Sequence, residues 1–222
     1  MLPIDLIFII SEYANFIPVN KALHRHKLDN YTYNLCIKFS RDFYDKKISL
    51  DAANICLNLV NQRDIVDVST LGKMKKLNLS DCINITDVSA LGDVEELNLS
   101  GCINITDVSA LRNVKKLNLD NCRNITDISP LRNLNQLYLS KCKYVTDVSM
   151  LGNLKKIQLY DCKNVTDVSS LGNVQELYLS HCDNITDVSA LGNVKDLSLQ
   201  YCKGVTDVSS LGKVEKIKFK GV

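Results

Sequence analysis

Two residue types recur in this chain at a spacing strict enough to support chemistry. Cysteine stands at positions 82, 102, 122, 142, 162, 182 and 202, and aspartate at 67, 87, 107, 127, 147, 167, 187 and 207, with one unvarying interval in both columns. A column of thiols can form disulfides, ligate a metal or pack as buried reduced groups. Equal steps along a stacked chain put equivalent Cα atoms about 4.8 Å apart, inside the disulfide range. Parallel, in-register Cβ vectors fit that bond poorly, because it needs Cβ atoms about 3.8 Å apart. No pair of cysteines is separated by two residues, and ligands in a line do not make a tetrahedron, which argues against zinc. The reading is buried, reduced thiols, small apolar groups whose S–H donates weakly to a backbone carbonyl.

The carboxylate column needs an offset of its own, since like charges about 5 Å apart repel by roughly 0.8 kcal/mol in water. A line of calcium sites would supply it. Calcium, however, takes about 6–8 oxygens, and the Thr-Asp-Val-Ser context lacks a glycine-rich binding loop. An aspartate just before a tight turn accepts backbone N–H groups as a cap, and capping is the expectation here. Catalysis finds no foothold. His24 and His26 lie outside the periodic region, His181 has no nucleophile pattern around it, and no glycine-rich phosphate loop follows a strand. Turn residues repeated in every unit are not a unique active site. No enzyme activity, cofactor or metal is expected.

The elements that position these columns follow from the repeat. Eight units run from Asn54 to Lys213, the first carrying Gln62 in the cysteine place, and a half-unit, Val-Glu-Lys-Ile-Lys-Phe-Lys-Gly-Val, closes the chain. A fixed period of this length signals a stacked architecture. Within one unit the apolar set is Val114, Leu117, Leu119, Cys122, Ile125, Ile128 and Leu131. Leu117 and Leu119 alternate with polar Asn118, the period of a half-buried strand. The later step of three suits a tight 3₁₀ or irregular return, and a unit this short cannot hold a crossover helix as well. Stacked coils then form a parallel sheet about 4.8 Å per step, a rod of roughly 40 Å. A lone coil cannot bury its apolar face; a neighbour on each side lets it do so.

The pattern Leu97-x-Leu99-x-x-Cys102 and its equivalents resemble the leucine-rich repeat family, over roughly three quarters of the chain. The resemblance implies a repeat solenoid with the parallel sheet on the concave face, a short 3₁₀ or irregular convex side, and a recognition role without chemistry; Pro3, tolerated in a helix's first turn, and the apolar residues after it predict a helical N-terminal cap. Residues 54–222 are the solenoid on this reading and residues 1–53 the capping segment.

Recognition must sit where units differ. Asn78, Asn98 and Asn118 hold the central strand position early; later units carry Tyr138, Tyr160, Tyr178 and Tyr201, with His181 among them. Tyrosine offers large contact area at low entropy cost, so these five are read as one patch on the concave face that binds an unknown protein. The net charge is +2. The concave positions are mildly basic, but Glu95, Glu96, Asp120 and Glu176 interrupt them, unlike the dense field of a nucleic-acid binder. Lysines at 216, 218 and 220 blunt the closing strand against self-association, which favours a monomer.

The first 53 residues carry Phe8, Phe16, Phe39 and Phe43 and no clear repeat. The run Leu6–Ile10 is too short to span a membrane, and no basic segment precedes it as in a signal peptide. A cytoplasmic chain with free thiols is expected. Tyr33–Phe39 alternates and predicts a first strand in the same 20-residue register, Ile37 and Phe39 standing where Leu57 and Leu59 follow. Leu2-Pro3-x-Asp5-Leu6-Ile7-x-x-Ile10-x-x-Tyr13 with Val19-Asn20-Lys21 resembles the start of an F-box. With leucine-rich repeats behind it, that start resembles substrate receptors of Skp1–cullin–F-box ubiquitin ligases and predicted proteins of giant DNA viruses. The resemblance implies that Leu2, Pro3, Leu6, Ile7 and Ile10 contact a Skp1-like adaptor, in the host cytoplasm if the gene is viral. The stretch between Tyr13 and Val19 is shorter than in that family, and the chain has no tryptophan. A stand-alone binding scaffold is therefore the first reading and the ligase adaptor the second.

Overall fold

The computed structural model describes residues 34–38, 54–69 and 71–220. They build one sheet of ten strands in sequence order: β1 (Asn34–Lys38), β2 (Asn54–Asn58), β3 (Lys76–Asn78), β4 (Glu96–Asn98), β5 (Lys116–Asn118), β6 (Gln136–Tyr138), β7 (Lys156–Tyr160), β8 (Glu176–Ser180), β9 (Asp196–Ser198) and β10 (Lys216–Lys218). From β2 onward every neighbour is parallel and one repeat along, Leu77 opposite Leu97 and Leu97 opposite Leu117. The helical cap and the segment holding Leu2, Pro3, Leu6, Ile7 and Ile10 lie outside the described residues.

The strand expected at Tyr33–Phe39 exists, but its direction corrects the expected register. β1 runs antiparallel to β2, with Cys36 opposite Cys56 and Ile37 opposite Ile55. A parallel neighbour needs the full return arc to bring the chain back to the same end. Residues 39–53 contain no Asp-Val-Ser-x-Leu return, so β1 is not a ninth coil one step earlier. It closes the N-terminal edge of the parallel array instead.

The step of three in the return is a run of hydrogen bonds. Cys102 N–H donates to the Leu99 carbonyl (3.0 Å), Ile105 to Cys102 (3.3 Å), Leu111 to Val108 (3.0 Å) and Val114 to Leu111 (3.2 Å). Each of these four residues closes a 3₁₀-type turn on the apolar residue three before it, which directs successive side chains to one side of the backbone. Short 3₁₀ helices appear within this arc, for example Ser109–Asn113 and Ser169–Asn173. The seven apolar positions named in one unit, Val114 to Leu131, are all no more than 2% exposed. They join their equivalents in a single continuous core.

From β3 to β6, strand length follows competition for one backbone N–H. In β3 and β4 the central asparagine side chain turns back, Asn78 Oδ1 accepting from Ser80 N–H (3.1 Å) and Asn98 Oδ1 from Ser100 N–H (3.0 Å). Asn118 does the same to Asp120 (2.8 Å), and the Asp120 carboxylate takes Ser140 N–H (2.6 Å) after β6. Those strands stop after three residues. β7 and β8 have Gln158 and Tyr178 in the central place and run for five, adding the pairs Leu159–Leu179 and Tyr160–Ser180. A local side-chain bond that replaces the ladder ends the strand. Among the described residues no helix is long and apolar enough to cross a membrane.

Candidate functional site

Both invariant columns hold the coils together. Every aspartate from 67 to 207 accepts the backbone N–H of the serine two residues on, at 2.8–2.9 Å. This is the turn cap that the sequence implies. The Ser89 N–H holds the Asp87 carboxyl below its ordinary value, and the equivalent bonds lower Asp107, Asp147, Asp167, Asp187 and Asp207. Neighbouring aspartates act against this, as Asp107 and Asp67 do on Asp87. The backbone bond therefore supplies the offset that the charge column needs.

The seven cysteines of the column are buried and free. Each points its sulfur at the carbonyl of the second strand leucine in the preceding coil: Cys102 to Leu79 (3.1 Å), Cys122 to Leu99 (3.1 Å) and Cys182 to Leu159 (3.3 Å). The S–H is thus a bond between coils. Burial pushes the Cys102, Cys142, Cys162 and Cys182 thiols up to about 12 and Cys82 to about 11, and raises Cys122 and Cys202 in the same direction. Thiols so desolvated are poor nucleophiles and poor metal ligands. No group of three or more His, Cys, Asp or Glu side chains among the described residues is placed to hold a metal.

A third column escaped the sequence reading. Asn84, Asn104, Asn124, Asn164 and Asn184 each donate from Nδ2 to the backbone carbonyl 21 residues earlier, at 2.7–2.9 Å. The available signal was asparagine two residues after cysteine in most units. Tyr144 interrupts the column and is 49% exposed. Gly204 ends it, because a Cβ there would come within 2.5 Å of the Asp183 and Ile185 carbonyls.

The five residues read as one patch occupy three columns. Tyr138 and Tyr178 share the central strand position, with Gln158 between them on β7. Tyr160 lies two residues further along its strand, at the place of Ser180. His181 and Tyr201 lie one residue beyond, at the corner, where the backbone has φ of +58° and +59°. The structure brings three of the five together. The Tyr160 and His181 rings meet edge-on at 5.0 Å between centroids, and His181 stacks on Tyr201 at 4.7 Å. Lys220 Nζ extends the line, 5.8 Å from the Tyr201 centroid. Among the described residues no ring contact joins Tyr138 or Tyr178 to this stack.

Tyr178 is held by charge. Its hydroxyl donates to Asp196 Oδ2 (3.1 Å) and Glu176 Oε2 (3.3 Å), while Lys156 Nζ sits 2.7 Å from Glu176 Oε2 and 4.9 Å from the ring centroid. Burial, then the Asp196 bond, pushes the Tyr178 phenol up to about 12. It remains a neutral donor at any physiological pH. Tyr138 has a looser setting, its hydroxyl 3.3 Å from Gln136 Oε1 and Lys116 Nζ 5.9 Å from its ring. It also borders a shallow depression of about 420 Å³ over β3 to β5, lined by Asn78, Asn98 and Asn118 with Lys76, Glu96 and Lys116. Two acids on this half hold lysines: Glu96 pairs with Lys76 (2.6 Å) and Glu95 with Lys115 (2.7 Å).

No protein-family model and no curated protein matches the sequence. Solved structures do match. Internalin C2 of Listeria monocytogenes is 28% identical, with a TM-score of 0.58, over 74% of this chain and 80% of that one. Internalin F of the same organism is 18% identical over 74% of this chain and 66% of that one, with a TM-score of 0.48. A leucine-rich-repeat protein of Leptospira interrogans is 20% identical over 68% and 50%, with a TM-score of 0.37. The solenoid shares the leucine-rich-repeat character of internalin C2.

Proposed function

We propose that the chain is a non-enzymatic protein-recognition scaffold that docks its partner on the exposed sheet face between β6 and β10 and on the corner at the ends of those strands. The observation that carries this is the ring stack Tyr160–His181–Tyr201. Its rings already pack on one another, and two of them leave corners pinned in the left-handed region. A partner that covers such rings orders little that is not ordered beforehand. Tyr138 and Tyr178 add two rings beside lysines, and Tyr160 is 37% exposed. The buried free thiols suit a reducing compartment, the cytoplasm. A monomer is the working state.

Affinity capture from a lysate, followed by purified-component binding for each captured protein, tests the reading. The Tyr160→Ala/Tyr201→Ala variant should lose a partner that Lys115→Ala retains, by tenfold or more in Kd for a hot-spot pair. A partner bound equally well by both variants would place recognition elsewhere.

A second reading rests on the Leu2-Pro3-x-Asp5-Leu6-Ile7-x-x-Ile10 pattern: a Skp1-like adaptor bound at the N-terminus and a ubiquitin-ligase substrate on the repeats. Co-expression with a Skp1 adaptor and light scattering, against Ile7→Asp/Ile10→Asp, tests it. A one-to-one complex lost in the variant supports the adaptor; a chain that elutes alone in both cases removes it.

A further inference from the structure

We propose that the shallow depression over β3 to β5 binds a linear, β-linked hexose chain laid across the strands. It lies on the half of the sheet that the protein-docking reading leaves unused, with Tyr138 at its border. Asn78, Asn98 and Asn118 stand directly opposite one another on these three strands, half-buried, and Tyr138 follows in the same column. Each Oδ1 accepts the backbone N–H two residues on, at 3.1, 3.0 and 2.8 Å. The partner is a donor, so the bonded atom is the amide oxygen and each Nδ2 is turned away from that bond. None of the three Nδ2 groups has a hydrogen-bond partner among the described residues. The result is a row of three amide donors, one strand apart, a step of about 4.8 Å.

Stacking alone does not call for this row. β7 and β8 join the same array with Gln158 and Tyr178 in that column. The groups around the row add to its binding capacity. Glu96 gives Oε1 to Lys76 (2.6 Å), and its Oε2 has no partner among the described residues. Lys116 makes no ion pair among the described residues, and its Nζ lies 5.9 Å from the Tyr138 ring centroid. The depression, about 420 Å³, falls within the range of small-ligand sites, about 300–1,000 Å³. Its unused hydrogen-bonding groups are mostly donors, so it fits a ligand rich in oxygen acceptors.

Spacing and charge select the occupant. An extended peptide crossing the strands presents carbonyls on one side every second residue, about 6.6–6.8 Å apart, out of step with the amides. A polyanion such as a nucleic acid needs a cation at every step. Of the lysines lining the depression Lys76 is paired with Glu96, which leaves Lys116. A β-linked hexose chain is uncharged and extended, and it advances by one ring in close to the step between strands. Each ring turns a hydroxyl or ring oxygen toward the surface beneath it, and each Nδ2 donates to one of these. Glu96 Oε2 accepts from a sugar hydroxyl, and the Tyr138 ring offers a face to the C–H side of the ring at that end. An α-linked chain curls and leaves the row.

The test is an NMR titration of the full chain that follows the asparagine side-chain amide pairs. The probes are cellohexaose, β-linked mannohexaose and, as the curled control, maltohexaose. At least one β-linked probe is expected to shift the Asn78, Asn98 and Asn118 pairs saturably, while maltohexaose leaves them in place. Asn98→Asp keeps an oxygen for the Ser100 N–H and replaces the outward donor with an acceptor. It should weaken that sugar about fivefold, the loss of one hydrogen bond, with the backbone spectrum otherwise preserved. Tyr160→Ala/Tyr201→Ala should bind the sugar unchanged, which separates this site from the protein-docking face. The proposal is overturned if neither β-linked probe moves the pairs, a result read on the unaltered chain and independent of any variant. It is overturned too if maltohexaose binds equally well, or if a folded Asn98→Asp chain binds as tightly as the original. Shifts produced by a hexaglutamate peptide and by no sugar would make the row an acidic-peptide site and overturn it likewise.

Discussion

Raising the pH should unfold this protein through its buried thiols. A thiol has an ordinary value of 9.0, and burial in the folded chain raises Cys102, Cys142, Cys162 and Cys182 to about 12, with Cys122 moved further in the same direction. A group raised on folding adds stability that is complete below its unfolded value and is lost as pH climbs toward the folded one. The window is therefore pH 9 to 12. At pH 10 each unfolded thiol is stabilised by ionisation worth about 1.4 kcal/mol, while the folded thiol remains protonated. Five such groups amount to about 7 kcal/mol, comparable with the whole stability of a typical domain, about 5–15 kcal/mol. Urea unfolding at pH 7, 8, 9 and 10 under an oxygen-free, non-thiol reductant should show little change to pH 8 and a steep fall by pH 10. Thiolate absorbance near 240 nm should rise with unfolding and not before it. Cys122→Ala should flatten the fall by one thiol's share. A stability that is level from pH 8 to 10, or thiolate absorbance that titrates near pH 9 in the folded chain, would refute the account of the column as a desolvated stack.

On the acid side the aspartate column works in reverse. Serine N–H bonds lower the folded carboxyls below 3.8, so their contribution is present above that value and fades as pH falls beneath it. Thermal melts should hold steady from pH 7 to 5 and drop below pH 4, less steeply in Asp167→Asn. Gly204→Ala forces a Cβ against two carbonyls at 2.5 Å, whereas nothing lies within 4 Å of one at Gly212. Urea midpoints should register a loss of about 1–3 kcal/mol for the first and a change within about 0.5 kcal/mol for the second. Tyr144→Asn restores the amide that the Asn column lacks at that coil and should stabilise by about 0.5–1.5 kcal/mol, the net worth of one hydrogen bond; Asn124→Ala should cost a similar amount in the same assay.

What repeats was legible because every unit faces the same neighbour. Leu117, Leu119, Cys122 and Ile125 recur at the same place in unit after unit, and only a translationally stacked sheet buries all of them at once, so period and polarity pattern sufficed. The aspartate cap was legible for the same reason: one turn, one carboxylate, repeated. β1 was misread because alternation in Asn34–Lys38 states that a strand exists and nothing about its direction. The direction was written in residues 39–53, where the return motif is missing. The Asn84–Asn184 column passed unnoticed because asparagine in a turn satisfies local expectations, and its bond reaches a carbonyl 21 residues away.

The candidate site was the least legible part, and Tyr160, His181 and Tyr201 show why. Each stands about one repeat from the next, which places them near one another on any solenoid of this period, but a shift of one position at a corner decides whether rings share a face. Tyr160 ends a strand and His181 begins a turn with positive φ. The interval from Tyr160 to His181 exceeds the repeat by one, so it moves the ring from strand to corner, and the contact becomes edge-on. The interval from His181 to Tyr201 equals the repeat, keeps Tyr201 in the same corner conformation and stacks it. Tyr138 and Tyr178, two units apart, repeat one strand position and so remain on the sheet face, separated by Gln158. A tyrosine count had merged these into one patch. Position within the unit separates them into a rigid corner stack and two anchored sheet-face rings, and the proposed docking face gains its order from the first group.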